Sequence, residues 1–442
     1  MKLETAAILA QKGPSDLSLS TNKISNFLTI LGYQVKAVSS VEANHRAIAQ
    51  ELKVLTRSCD IVVVLSQGDA QSVSEALGWM TSQELVTINE LTGYGVSPLW
   101  PAGTKLLKNQ AACPVVHLRR IFVLNSSFME QQLGSPLKNH LKQYSEAPIY
   151  AKTFQITLNG SQKRIEELRG IVDIQFGKST NGQDEVTLSS PKFENVVDGE
   201  VELKKRVAGH ILGSSWVNSK ADLVYSSEDS NVRQSINIIE NCLKTFGPEN
   251  IFLSFNGGKD CTVLLHLLQT VLKKLFPNVR RKLFCLYVRS TNTFQEQDDF
   301  IERCRIFYNL EVHSSTMSIK EALRSVLAKK PHFQVCFMGS RRTDPYCSDL
   351  NFMQMTDPDW PQIMRCSPFL DWHYSDIWDY LLYYKVPYCK LYDSGYTSLG
   401  SSTNTIRNPT LVCSNCSENA YLPAYKMLNE KEERSGRNVS KI

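Results

Sequence analysis

A chain of 442 residues is too long for one ordinary domain and points to two or three. With 42% hydrophobic and 21% charged residues, 22 Gly and 17 Pro, it excludes a mainly disordered, collagen-like or coiled-coil protein. The net charge of +5, from 49 basic and 44 acidic residues, is too small to argue for nucleic acid, although local basic clusters suit a phosphorylated small molecule. No window approaches the roughly eighteen uninterrupted apolar residues of a membrane span. The start, MKLETAAILAQKGPSD, meets Gln11 and Lys12 after a short apolar run, so neither secretion nor a membrane partner is expected and the cytoplasm is the default. The 12 cysteines are scattered singly except for Cys413-Ser-Asn-Cys416; they read as mostly buried thiols of a reducing compartment, since a zinc site would want a second pair at similar spacing.

Along the first block, helical patterning around Ile24 to Leu31 and Ile48 to Leu55 alternates with strands around Val35 to Val41, Ile61 to Leu65 and Ile121 to Leu124. That rhythm predicts a parallel sheet covered by helices, ending near Tyr144. Between Thr153 and Asp222 the pattern changes. FQITL, VDIQF and EVTLSS read as short strands, with helices over Gln162 to Arg169 and Glu200 to Leu212, and the polar stretch Val217 to Asn231 reads as a linker. The last block alternates again. A strand at Ile251 to Phe255 leads into a helix carrying Leu264, Leu265, Leu268, Val271, Leu272 and Leu275, followed by a strand at Leu283 to Val288. Helices near Gln295 to Tyr308 and Ile319 to Ala328 and a strand at Phe333 to Met338 complete it. The expected class is α/β, with two doubly wound α/β domains (1–145 and 230–442) joined by a small α+β domain (150–225).

Three segments of the last block carry chemistry. Ser254-Phe255-Asn256-Gly257-Gly258-Lys259-Asp260 lies between a strand and a helix, where free amides and the helix dipole favour an anion. Its two glycines let the backbone approach phosphate, Lys259 adds a cation, and Asp260 stands where the Walker loop has a hydroxyl, suited to hold magnesium. The same residues would also serve a tight strand-to-helix turn. Met338-Gly339-Ser340-Arg341-Arg342-Thr343-Asp344-Pro345 follows another strand; Arg341 and Arg342 can clamp phosphate oxygens, and Asp344 can orient a guanidinium or hold a metal. Two anion-suited loops after strands of one sheet favour a nucleotide site. Thr356-Asp357-Pro358-Asp359-Trp360-Pro361 to Arg365 and Ser367-Pro368-Phe369-Leu370-Asp371-Trp372 bring aromatics beside carboxylates, which suits a planar heterocycle. Trp378, Tyr380 and Leu381 read as core. The tail EKEERSGR, by composition, reads as a solvated charged end.

Taken together, SFNGGKDC (254–261), MGSRRTDPYC (338–347), TDPDWP with MR (356–365), PFLDW (368–372), DIWDYL (376–381), VPYCKLYDSGYTSLGSSTNTIRNP (386–409) and PAY with ERSGR (423–437) resemble the eukaryotic FAD synthases. The synthase domain of that family belongs to the phosphoadenylylsulfate-reductase-like branch of ATP-using α/β folds. The resemblance implies adenylyl transfer from ATP to FMN, giving FAD and pyrophosphate with Mg2+, and apo-flavoproteins as FAD recipients. It implies Asn256, Lys259, Asp260, Arg341 and Asp344 as the catalytic group, with Asp260 and Asp344 at the metal. Ser254, Phe255, Gly257, Gly258, Gly339, Arg434 and Arg437 would surround ATP, and Asp357, Trp360, Arg365, Asp371 and Trp372 the flavin. A sulfonucleotide reductase of the same branch is the enzyme alternative, but its C-terminal catalytic-cysteine signature is missing; a flavin- or nucleotide-binding protein without activity is the other.

Residues 1–225 resemble more weakly the family's N-terminal part, a molybdopterin-binding-like domain and a linker domain. Lys12-Gly13-Pro14-Ser15 replaces an acidic Gly-Asp-Glu segment, Leu65-Ser66-Gln67-Gly68-Asp69-Ala70-Gln71 replaces a Gly-Pro-Thr turn with paired Asp, and Asn125-Ser126-Ser127 replaces a Pro-Gly turn. Loss of those glycines and carboxylates removes close phosphate approach and metal charge. A degenerate scaffold or regulatory unit without FAD hydrolysis is therefore expected, with homodimerisation left open.

Overall fold

The structure, a computed structural model, describes residues 3–12, 17–109, 112–158, 160–207, 210–217, 221–277, 281–413 and 420–437. Its first sheet has six strands in the spatial order Gln34–Val41, Thr5–Gln11, Ile61–Ser66, Ile121–Asn125, Ala112–Leu118, Lys105–Asn109. The first four are parallel, Ala112–Leu118 runs antiparallel to Ile121–Asn125, and Lys105–Asn109 runs antiparallel to Ala112–Leu118. Successive strand residues point to opposite faces. Ile8, Val63 and Leu124 therefore pack with Ile24 and Leu28 of helix Ser18–Ile30 and Leu137 and Leu141 of helix Ser135–Ser145. Leu9, Val64 and Val123 pack on the other side with Leu52 of helix His45–Ser58 and Leu77 of helix Gln71–Thr81. The apolar run at the start, too short for a membrane, is the Thr5–Gln11 strand. Among the described residues, no helix is long and apolar enough to cross a membrane.

The middle of the chain forms an antiparallel sheet, Asp173–Lys178, Asp184–Ser190, Tyr150–Ile156, Ile211–Val217. Two sequence expectations are corrected here. The helix expected over Glu200 to Leu212 spans Phe193–Arg206, because Phe193, Val196 and Val197 extend its apolar face backwards and Leu212 belongs to a strand whose backbone pairs with Tyr150–Ile156. The expected linker contains helix Ala221–Tyr225, and Asp229 caps helix Ser230–Phe246 by accepting from the backbone N–H groups of Asn231 and Val232.

The third sheet follows the order Glu311–Ser315, Phe284–Val288, Ile251–Ser254, Val335–Phe337, Met364–Cys366, Met353–Met355; all but the last strand are parallel. One face carries Ile251, Leu253, Val335 and Phe337 against Leu264 and Leu268 of helix Lys259–Leu275. The other carries Phe252, Leu286 and Cys336 against Leu323 and Val326 of helix Ile319–Lys329. Helix Tyr374–Tyr383 is buried along most of its length, including Trp378, Tyr380 and Leu381.

The first and third sheets share a buried seam. The Lys105 ammonium lies 2.7 Å from Asp229, 2.8 Å from Asp376 and 3.9 Å from Asp379, so one cation serves three carboxylates. Burial is the chief cause that pushes the Asp379 carboxyl up to about 7; Lys105 opposes it, and Asp376 adds to it. Between about pH 4 and pH 7 the folded chain therefore keeps a proton that the unfolded chain has lost, and stability falls as pH rises through that window. Asp379→Asn removes this dependence. In urea denaturation the variant's stability relative to wild type should rise by about 2–3 kcal/mol from pH 5 to pH 8; a difference that does not vary with pH would refute the assignment.

Candidate functional site

In the third sheet, chain order runs outward from Ile251–Ser254 through Phe284–Val288 to Glu311–Ser315, then returns to place Val335–Phe337 on the other side of the first strand. The reversal opens a crevice at the carboxyl ends of Ile251–Ser254 and Val335–Phe337, where open parallel sheets bind ligands. Both anion-suited loops leave from these two strands. In the first, Gly257 has φ +73°, and a Cβ there would sit 3.0 Å from the Ile301 side chain. The Asn256 carboxamide oxygen accepts from the Gly258 N–H at 3.0 Å, and the Gln297 side chain donates to the Asn256 carbonyl at 2.7 Å. The Lys259 N–H, at the start of the helix, donates to the Tyr392 hydroxyl at 2.9 Å. The second loop comes so close that a Cβ on Gly339 would lie 2.9 Å from the Cys261 nitrogen. Glycine at 339 is thus a condition for bringing the two loops together.

Between the loops lies an ionic quartet. Lys259 and Arg341 are 2% and 1% exposed, so both cations must be paired in the fold. Lys259 Nζ contacts Asp260 at 3.0 Å and Glu433 at 2.5 Å. Arg341 Nε contacts the other oxygen of Asp260 at 2.7 Å, and its Nη2 reaches both oxygens of Glu433 at 2.7 Å. Burial pushes the Asp260 carboxyl up, but Arg341 and Lys259 outweigh it and hold it below the usual carboxylate range. Asp344 accepts from the Arg341 N–H at 2.9 Å and pairs with Arg434 at 3.0 Å. The sequence reading brought Lys259, Asp260, Arg341, Asp344 and Arg434 to one place. It missed Glu433, which sits inside the charged tail segment and carries no local pattern beyond its neighbour Arg434.

The remaining expected residues divide. Arg437 lies along the same tail, donating to the Leu399 carbonyl at 2.8 Å, and Gly400 leaves it room, since a Cβ there would lie 2.3 Å from the guanidinium. Phe255 is buried and offers the crevice only its backbone, while Ser254 is the last residue of its strand. Asp357, Trp360 and Arg365 cluster on the hairpin made by Met353–Met355 and Met364–Cys366: Arg365 is 3.6 Å from Asp357, and the Trp360 N–H donates to the Asp357 carbonyl at 2.9 Å. Arg365 pairs across the sheet with Cys336, which places this hairpin beside the second loop. Asp371 is elsewhere, paired with Arg342 at 2.7 Å. Trp372 is buried against Phe369 and Tyr380 with its ring N–H on the Ser235 hydroxyl, a packing position. Cys416 lies outside the described residues.

Asp260 and Asp344 both touch Arg341, one through its side chain and one through its backbone. Among the described residues, no group of three or more His, Cys, Asp or Glu could hold a metal alone. Two carboxylates completed by substrate phosphates are how Mg2+ is commonly held, so the donor set fits that ion in company with a polyphosphate.

The profile of the phosphoadenosine phosphosulfate reductase domain matches residues 250–407. A probable FAD synthase of Caenorhabditis briggsae is 35% identical over 57% of this chain and 51% of its own length, and one of Caenorhabditis elegans is 39% identical over 57% and 50%. The chain thus spans about half the length of these two relatives. A Candida glabrata FMN adenylyltransferase solved with FMN and an ATP analogue is 28% identical, at TM-score 0.45, over 50% of this chain and 99% of that one. The probable FAD synthase of Schizosaccharomyces pombe is 39% identical over 46% of this chain and 77% of its own length, and on that match the chain belongs to the FAD synthase family.

Proposed function

We propose that this chain transfers the AMP moiety of ATP to FMN, releasing pyrophosphate and FAD. The observation that carries the reading is the ionic quartet at the carboxyl ends of two adjacent parallel strands, in a chain of this family. An oxygen of the FMN phosphate attacks the α-phosphorus, the bond from that phosphorus to the α–β bridging oxygen breaks, and pyrophosphate leaves. Phosphomonoesters lose their second proton near pH 6, so the nucleophile is already anionic and needs no general base. The chain must align the two phosphates and neutralise charge on the departing group. Lys259 and Arg341 do this from the loops, and Arg434 and Arg437 from the tail. Asp260 and Asp344, with the phosphates, would hold magnesium, which when bound would supply further positive charge at the same place. Glu433 is the internal counter-ion with which a polyphosphate competes for Lys259 and Arg341. Asp357, Trp360 and Arg365 receive the flavin. The family match favours this reading over a sulfonucleotide reductase.

The N-terminal sheet carries no FAD hydrolysis in this reading. Its corresponding end is filled by its own side chains: Asn125 donates to the Gly68 carbonyl at 2.7 Å, and the Gln67 N–H donates to the Gln11 side chain at 3.0 Å. Apo-flavoproteins are the proposed recipients of the product, and the cytoplasm its place.

Incubation with FMN, ATP and Mg2+, followed by chromatography, should give FAD and pyrophosphate in equal amounts; bound flavin without pyrophosphate would support a binding protein instead. Asp260→Ala should lower the rate by about two orders of magnitude or more. Trp360→Ala should weaken FMN about tenfold, the worth of one aromatic contact, with a smaller change in kcat; near-normal kinetics in either variant would overturn that residue's role. Glu433→Gln leaves two buried cations with one carboxylate. It should cost the free protein about 3 kcal/mol in thermal or urea unfolding, and added pyrophosphate should raise its Tm more than that of the wild type. An unchanged Tm without anion would show that Glu433 is not the counter-ion.

A further inference from the structure

The tail that carries Glu433, Arg434 and Arg437 is anchored on the first sheet. The turn between strands Ala112–Leu118 and Ile121–Asn125 is Arg119-Arg120, and Arg119 has φ +58°, a conformation that glycine or asparagine adopts with less strain. Both guanidiniums lie in the seam between the sheets, 7% and 6% exposed. Arg119 donates to the Met427 carbonyl at 2.7 Å and pairs with Glu430 at 3.2 Å. Arg120 stacks on the Tyr425 ring, 4.9 Å from its centroid, while donating to the Asp60 carbonyl. From the other side, the Lys426 ammonium donates to the carbonyls of Arg57 and Cys59, each at 3.2 Å.

From the seam the tail runs directly to the quartet. Glu430 is held by Arg119 and by His373 at 3.1 Å, and Glu433 follows three residues later, its carbonyl taking the Thr397 hydroxyl at 2.7 Å. The turn lies at the amino end of Ile121–Asn125, opposite the carboxyl-end loops Ser66-Gln67-Gly68 and Asn125-Ser126-Ser127 where a parallel sheet binds ligands. The anchor is therefore independent of those loops.

We infer that Arg119 is a positioning residue for the phosphate site: through Met427 and Glu430, the N-terminal sheet sets the placement of Glu433, Arg434 and Arg437 against Lys259, Arg341 and Asp344. The inference rests on the function proposed above only in taking the quartet as the ATP phosphate site. Among the described residues no hydrogen bond or ion pair joins Arg119 to the Asp357, Trp360 and Arg365 hairpin, so the effect is expected on ATP.

The test compares affinities in the full chain for a non-hydrolysable ATP analogue and for FMN by calorimetry, together with the KM for each substrate. Arg119→Met should weaken the ATP analogue roughly tenfold or more, as expected for losing hydrogen bonds to a charged group, and change FMN less than about twofold. Arg119→Lys should recover part of the loss. Combined with Arg437→Ala, Arg119→Met should add little, because both act through the tail. Unchanged ATP affinity, or ATP and FMN weakened together with a lower Tm, would overturn the inference. If Arg119→Met fails to fold, Glu430→Gln tests the same contact from the tail and must show the same selectivity for ATP. A wild-type chain that binds the analogue but makes no FAD would count against the proposed reaction alone, whereas one that binds no analogue would count against both.

Discussion

Everything at the site depends on two cations that have almost no access to water. Lys259 and Arg341 are held at the bottom of the crevice by the helix start and by a glycine that lets the second loop touch the first. A charge in that position is tolerated only with a partner, and the protein provides two, Asp260 and Glu433. One partner is local, the residue next to Lys259. The other comes from the far end of the chain. That difference makes the quartet the lock that holds the C-terminal segment over the sheet.

The quartet is accordingly close to neutral, although the function proposed for it is to meet a polyanion. A polyphosphate entering it exchanges a carboxylate–cation contact for a phosphate–cation contact, so the gain is the difference between two strong interactions and not the whole of either. This also explains why the net charge of +5 says little about the ligand. In the proposed reading selectivity resides in four or five charges fixed by packing, and the sum over the surface is nearly irrelevant to them.

What could be read from the sequence follows from how far apart the cooperating residues lie. SFNGGKD declares itself because strand, glycines, lysine and helix are contiguous, and the physics of a helix N-terminus acts within one turn. GSRRTD is legible because its glycine, paired arginines and aspartate are contiguous just after a strand. The long helices and the Val335–Phe337 strand were found because apolar spacing is local, while strands such as Met353–Met355 and Met364–Cys366, three residues each, take their identity from neighbours in the sheet. Glu433 was not legible: its partners are 174 and 92 residues away in the sequence. Trp372 reads like a ligand wall by composition, and only the fold turns it inward to Ser235. Arg119-Arg120 looked like nothing at all, since a two-residue turn ordinarily advertises itself with glycine or asparagine.

That last case bears on the N-terminal half as a whole. A turn that accepts a left-handed arginine carries a cost of the order of 1 kcal/mol, and a structure retains such a cost where surrounding contacts outweigh it. Here the contacts are the carbonyl of Met427, the carboxylate of Glu430 and the ring of Tyr425, all on the tail. The carboxyl end of that sheet is closed by its own hydrogen bonds, while the opposite end is packed around the tail. The sheet is better understood as a support for the distant site than as a failed site of its own: what it supplies is a fixed edge, and the phosphate-facing residues hang from that edge.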